Sequence, residues 1–397
     1  MRRGPFLVAL FLAALTLRAQ LVGIGPLLPL IETDLGVSHA VAGLLGTIPV
    51  LCMGVFAPPA AYLAARVGAR TAVGAMVLMI GVSGVLRALA PGAPAVILLT
   101  IPIGIGMGIA GAMLPVTVKE RFSDRPGFAT GVYVAGMTIS SAVSAALAIP
   151  LAHLGNGWRT PLLVYSSVSI VLGLLWILLT RKEPRHVRVA VKPLRLPFRN
   201  PLAWRFVAAF FFMSSVFYGL NAWLPDAYVE RGWSDASAGS LLAILNLINI
   251  PVGFSVAWAA DHYGQRRLWL AGAASGQLVG LIGIITVPSA GYLWAVVLGI
   301  AIGPLFPLTM TMPLDAAELP AEVASYTGMM LGVGYTMAAA SPLVLGAIRD
   351  ATGGFSAVLW VLAGLALMQV LVDASLSPAR LAAARLSPRR PARAAST

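Results

Sequence analysis

Acidic residues are scarce in this chain of 397 residues: 14 Asp and Glu stand against 27 Lys and Arg, and charge of either sign makes up only 10%. That excludes an ordinary soluble enzyme, in which about a quarter of the residues are charged. Cysteine is almost missing. Cys52 stands alone in an apolar run, so the chain can form neither an intrachain disulfide nor a thiol cluster for zinc or an iron–sulfur centre. The four histidines, His39, His153, His186 and His262, are scattered without metal-ligand spacing. No Gly-x-x-x-x-Gly-Lys loop is present, which argues against ATP hydrolysis as a driving force. These absences predict no metal, no cofactor and no enzyme chemistry.

What is there is apolar. Hydrophobic residues make up 59% of the chain, with 41 Gly and 28 Pro spread among long apolar runs, a pattern foreign to fibrous and disordered chains. Stretches of about 20 residues, enough to cross a bilayer as a helix, centre near Arg18, Leu51, Ile80, Gly106, Ser141, Leu172, Ser214, Ile248, Gln277, Ala301, Thr336 and Leu365. Arg2, Arg3 and the run from Phe6 to Leu17 imitate a signal peptide, but the apolar stretch resumes after Gln20 and continues to Ile31, so it is read as the first span. The expected organisation is a six-helix bundle over 1–180, a basic linker over 181–203, a second six-helix bundle over 204–376 and a basic flexible tail over 377–397. No soluble domain fits between them.

The basic residues sort by side. Arg2, Arg3, Arg66, Arg70, Lys119, Arg121, Arg125, the cluster from Arg181 to Arg199, Arg205, Arg266, Arg267 and the tail arginines fall on one side of the twelve spans, and only Arg87, Arg159, Arg231 and Arg349 on the other. Positive loops face the cytoplasm, so both termini are expected there, in a multi-pass protein of the cell (inner) membrane. The net charge of +13 is then explained by topology, and nucleic acid is not an expected partner.

The halves repeat. A shift of 196 residues puts Gly23 on Gly219, Pro29 on Pro225, Gly36 on Gly232, Ser38 on Ser234, Gly43 on Gly239, Gly68 on Gly264 and Arg70 on Arg266; one inserted residue later, Thr130-Gly131 falls on Thr327-Gly328. Two such halves place a site near the bilayer midplane at their interface, with access alternating as they rock.

Arg18 sits at the middle of span 1, where an Arg costs roughly 2.5 to 3.5 kcal/mol on insertion scales. Glu32 and Asp34 are roughly 21 to 24 Å away along a helix, too far to pair, and no acid occupies the core of any span. A central cation without a counter-ion suits an anionic substrate; the alternative is that Arg18 satisfies carbonyls freed where Gly23, Gly25, Pro26 and Pro29 interrupt the span. In span 7, Tyr218 and Asn221 stand near Gly219 to Pro225, a stretch expected to break the helix. Asn246 and Asn249 share one face of span 8, and Gln20 and Tyr335 are further candidate lining residues. Extending the repeat sets Arg121 against Glu318 and Arg125 against Glu322, a candidate gate between the halves. Gly106-x-Gly108-x-x-Gly111 lies inside span 4 with no preceding strand and reads as helix packing, as do Gly104-x-x-x-Gly108, Gly299-x-x-x-Gly303 and Gly328-x-x-x-Gly332.

The loop Leu63-Ala64-Ala65-Arg66-Val67-Gly68-Ala69-Arg70 and its repeat Ala259-Ala260-Asp261-His262-Tyr263-Gly264-Gln265-Arg266-Arg267 resemble the signature loop of the major facilitator superfamily. The resemblance implies an all-α membrane protein, twelve transmembrane helices in two pseudosymmetric six-helix bundles (the major facilitator fold). It also implies an acid-dependent clasp, which puts Asp261 and Arg266 among the gating residues; Ala65 replaces the acid in the first copy. Thr16-Leu17-Arg18, Gly25-Pro26-Leu27-Leu28, Arg87-x-Leu89-x-Pro91, Pro115-x-x-x-Lys119-x-x-Phe122, Trp223-Leu224-Pro225 and Ala238-Gly239-Ser240-Leu241-Leu242 are similar to the cyanate and 2-nitroimidazole transporter family, though Thr16 and Ala19 depart from the Asn and Pro that family carries around its Arg. That family moves a small anion or azole. Arg87 and Lys119 match its strings, but their places near span ends predict snorkelling to the headgroups.

The expected function is secondary active or facilitative transport of a cyanate-like anion by alternating access. Export or exchange of a neutral nitroimidazole-like molecule or drug is the alternative, and a non-transporting membrane sensor finds no signalling domain to support it. The expected partners are the small substrate, the bilayer and, as a candidate co-substrate, the proton. The chain is expected to act as a monomer.

Overall fold

The computed structural model describes residues 3–37, 39–181 and 196–376. Most of the basic linker and all of the tail expected from the sequence lie outside them. The described elements are α1 (Arg3–Val22), a 3-10 turn (Gly25–Leu27), α2 (Leu28–Leu35), α3 (His39–Val67), α4 (Ala69–Leu89), α5 (Ala93–Arg121), α6 (Pro126–His153), α7 (Arg159–Thr180), α8 (Pro201–Val229), α9 (Asp235–Tyr263), α10 (Arg266–Thr286), a second 3-10 turn (Pro288–Ala290), α11 (Gly291–Ala316), α12 (Pro320–Ala338), α13 (Ser341–Thr352) and α14 (Phe355–Ser375). Lipid offers no partner to a free peptide group, so each span closes its own hydrogen bonds.

Among the described residues, twelve segments are long and apolar enough to cross a bilayer, with α1 and its 3-10 turn forming the first and α12 with α13 the eleventh. Starts follow local chemistry. Pro126, Pro201 and Pro320 each occupy the first helical position, where a missing N–H costs nothing. The Asn200 side chain accepts from the Leu202 N–H, and Ser234 accepts from Ser237.

The repeat is visible in the backbone. Gly36 and Gly232 both take positive φ, 61° and 87°, and Gly68 and Gly264 do so at 82° and 70° in the two signature loops. The copies differ where the sequence expected them to agree. Span 1 breaks at Gly25-Pro26-Leu27, whereas α8 runs unbroken through Gly219 and Pro225. A lone proline deletes one hydrogen bond, and Gly219 is packed against Leu345 and Leu362, so tertiary contacts hold the helix together.

The halves meet between mid-membrane and the face that carries the basic loops. Gly54 and Pro58 of α3 pack on Gly332 and Gly328 of α12, and Gly131 of α6 packs on Ala257 and Phe254 of α9. The rings of Phe128 and Phe254 meet edge-on at 5.8 Å. Bonds toward the opposite face stay within a half: Asp34 takes the Trp158 N–H at 2.9 Å and pairs with Arg159, while Arg231 donates to the Ile284 carbonyl at 3.0 Å. The molecule is closed at its basic face.

Candidate functional site

Arg18 lies on the face of α1 that looks into the junction of the halves. Its guanidinium donates to the Tyr218 hydroxyl on α8 at 3.3 Å and to the Tyr335 hydroxyl on α12 at 3.2 Å. The bonds go to hydroxyls of the other half and not to carbonyls freed by the break in span 1. Tyr335 is itself fixed by the Phe210 ring, edge-on at 4.7 Å.

Beneath Arg18 is a small cavity of about 20 Å³, measured at the centre of a water-sized sphere, room for about one water. Arg18, Tyr133, Tyr335, Gly108 and Gly111 line it together with methionines and other apolar side chains, and no Asp or Glu does. The arrangement can hold a small group that accepts hydrogen bonds, with charge compensation from one cation.

The remaining expected lining residues go elsewhere. Gln20 is fully buried inside the N-terminal half, donating to Ser166 at 2.8 Å and accepting from Arg87 at 2.7 Å. Arg87 is 0% exposed and donates also to Thr100 at 3.4 Å; it does not snorkel, because α1, α5 and α7 enclose the last turn of α4. Asn221 and Asn246 bond to each other at 3.2 Å and to carbonyls of their own helices, the usual role of amides between membrane helices. Asn249 is half-buried, one turn nearer the basic face, with its backbone against Gly303. None of the three asparagines lines the cavity.

The residues expected to gate split in the same way. Asp261 accepts from the Gly127 and Phe128 N–H groups at 2.9 and 2.5 Å, a carboxylate at the positive end of α6. It also pairs with Arg266, which pairs in turn with Asp315. A side chain at Gly127 would run into Asp261 and the Ala257 carbonyl, so the clasp needs that glycine. Lys119 adds a second tie, donating to the Leu314 carbonyl of the other half at 3.1 Å, and does not snorkel.

The pairs Arg121–Glu318 and Arg125–Glu322, expected when the basic face is closed, are not formed although that face is closed here. Glu322 accepts from the Glu318 backbone N–H at 3.4 Å, in the first turn of α12, and Arg121 lies 5.8 Å over the Phe6 ring. Tyr133 lines the cavity without having been expected there, because nothing in its sequence neighbourhood sets it apart from a packed aromatic residue. At the opposite face, the Arg159 and Trp158 donors hold the Asp34 carboxyl below the usual carboxylate range.

A family model described as Major Facilitator Superfamily matches residues 7–342. The chain is 30% identical over 351 residues to the cyanate transport protein CynX of Escherichia coli (strain K12), covering 88% of this chain and 91% of that protein. It is also 30% identical over 375 residues to the 2-nitroimidazole transporter of the same organism, covering 93% and 94%. Among solved structures, the proton:xylose symporter XylE bound to 6-bromo-6-deoxy-D-glucose superposes with a TM-score of 0.76 at 14% identity, over 92% of this chain and 94% of that one, a likeness of fold.

Proposed function

Because the chain belongs to the major facilitator superfamily and is a membrane transporter, not an enzyme, we propose that it carries a small monovalent, cyanate-like anion by alternating access, with Arg18 as the electrostatic anchor. The observation that carries this reading is the Arg18 guanidinium, held by Tyr218 and Tyr335 of the opposite half over a cavity without an acid. An anion at that point replaces water around the cation and binds both halves at once, which is what couples binding to their movement. The similarity to the cyanate transport protein supports the substrate class.

The basic face is then cytoplasmic, both termini lie on that side of the inner membrane, and the conformation described is the one closed to the cytoplasm. The two six-span bundles, 1–180 and 204–376, are the bodies that rock, and one chain suffices as the working unit. With no acid in the cavity, the carrier exchanges anions, conducts them singly or takes a proton with the substrate.

The methionine and aromatic walls, with the equal similarity to the 2-nitroimidazole transporter, favour a second reading, transport of a neutral azole. Counterflow in proteoliposomes against a panel of small anions and azoles separates the two. Exchange of anions supports the first reading, and exchange of neutral azoles alone contradicts it.

A further inference from the structure

Tyr133 of α6 lines the cavity beneath Arg18. It is 1% exposed, and its hydroxyl reaches only that of Thr130, three residues earlier on the same helix; among the described residues neither hydroxyl makes a hydrogen bond of good geometry. Leaving a buried hydroxyl unpaired is unfavourable, and such groups are rare in folded proteins. At the cavity the Tyr133 hydroxyl is a donor awaiting an acceptor. With Arg18, Tyr218 and Tyr335 it makes a site rich in donors.

The wall is as telling as the donors. Met53 comes from α3, Met107 from α5, Met137 from α6 and Met310 from α11, so four helices present a thioether to one small space. A thioether is polarisable and a poor hydrogen-bond partner. It replaces little of the hydration that an incoming anion gives up, but it interacts well with diffuse charge.

Resting on the anion reading above, we infer that this site selects weakly hydrated, polarisable monovalent anions and that Tyr133 is a further residue contacting them. One guanidinium and a few hydroxyls compensate an anion that holds its water loosely. They fall short for formate, acetate or bicarbonate, whose concentrated charge demands more donors, and shorter still for sulfate, whose second charge meets no second cation. The small cavity and the flexible methionines suit an ion of a few atoms. Gly111 faces open space and leaves that room clear.

The test is counterflow in proteoliposomes of the full chain with radiolabelled thiocyanate and, separately, radiolabelled formate, each competed by cyanate, azide, nitrate, acetate and sulfate. The inference predicts thiocyanate exchange, with cyanate, azide and nitrate competing at concentrations ~10-fold or more below acetate and sulfate. Tyr133→Phe should weaken that competition about fivefold while leaving the melting temperature unchanged or raised, since the hydroxyl removed makes no hydrogen bond of good geometry. Formate exchanged as well as thiocyanate overturns the selectivity and leaves the anion reading standing. Exchange of neither anion alongside working azole exchange overturns the anion reading itself. A Tyr133→Phe protein with unaltered competition, or with a lowered melting temperature, makes Tyr133 structural.

Discussion

Arg18 and Tyr335 are 317 positions apart in the chain and meet at 3.2 Å. One belongs to the first span and the other to the eleventh, so the bond ties the two halves at mid-membrane. Tyr218 adds a second tie at 3.3 Å. A substrate that accepts hydrogen bonds from Arg18 lies within reach of both hydroxyls, each of which accepts from Arg18 and keeps its own O–H to donate, so binding is felt by the opposite half.

Tyr218→Phe and Tyr335→Phe keep the rings and remove the hydroxyls. Each should raise the KM for anion transport about 3- to 10-fold, and the double variant should fall short of the sum, because both act on one guanidinium. Initial rates over a range of anion concentrations check this. A fully additive pair would mean that the two tyrosines do not act through Arg18.

Asp261→Asn removes the charge shared by the α6 N-terminus and Arg266. The closed basic face should lose roughly 1 to 2 kcal/mol, a factor of about 5 to 30 in its population. Nitroxides at the exposed positions Ser123 and Tyr263, in a background where Cys52 is replaced, should report a larger share of long distances than in the parent. An unchanged distance distribution would remove Asp261 from the gate.

Gln20→Leu leaves the buried Arg87 short of its acceptor. Thermal unfolding in detergent should show a loss of ~2 kcal/mol, while the folded fraction keeps the parent's KM. A selective rise in KM without a loss of stability would return Gln20 to the substrate site.

Asp34, whose carboxyl is held below its ordinary range by Arg159 and Trp158, contributes stability that is present above the carboxylate's unfolded pKa of about 4 and is lost as pH falls through the lower folded value. Asp34→Asn should therefore lower the melting temperature equally at neutral and mildly acidic pH, with the difference from the parent shrinking only below about pH 4. A difference that already changes between neutral and mildly acidic pH would contradict the sign.

The spans and the repeat were legible because lipid demands long apolar helices and two copies share their turn glycines. The mid-span place of Arg18 was legible for the same reason, a charge being conspicuous in an apolar run. Gln20 was misread because two residues along a helix turn the side chain by about 200°, from the junction of the halves into the interior of one. Arg87 and Lys119 were misread because position along a span says nothing about which helices enclose it. The expected pairing of Arg125 with Glu322 followed the repeat alignment, but the first turn of α12 uses Glu322 for its own backbone. Tyr133 carried no sequence signal; only a cavity distinguishes a tyrosine that lines one from a packed one.

The most direct measurement of the central claim compares the parent, Arg18→Lys and Arg18→Ala in anion counterflow, with each protein checked for a monodisperse fold. The account predicts that Ala abolishes exchange and that Lys retains part of it, since charge survives but the planar fork that reaches both tyrosines does not. Anion exchange by a well-folded Arg18→Ala protein at the parent's rate would contradict it.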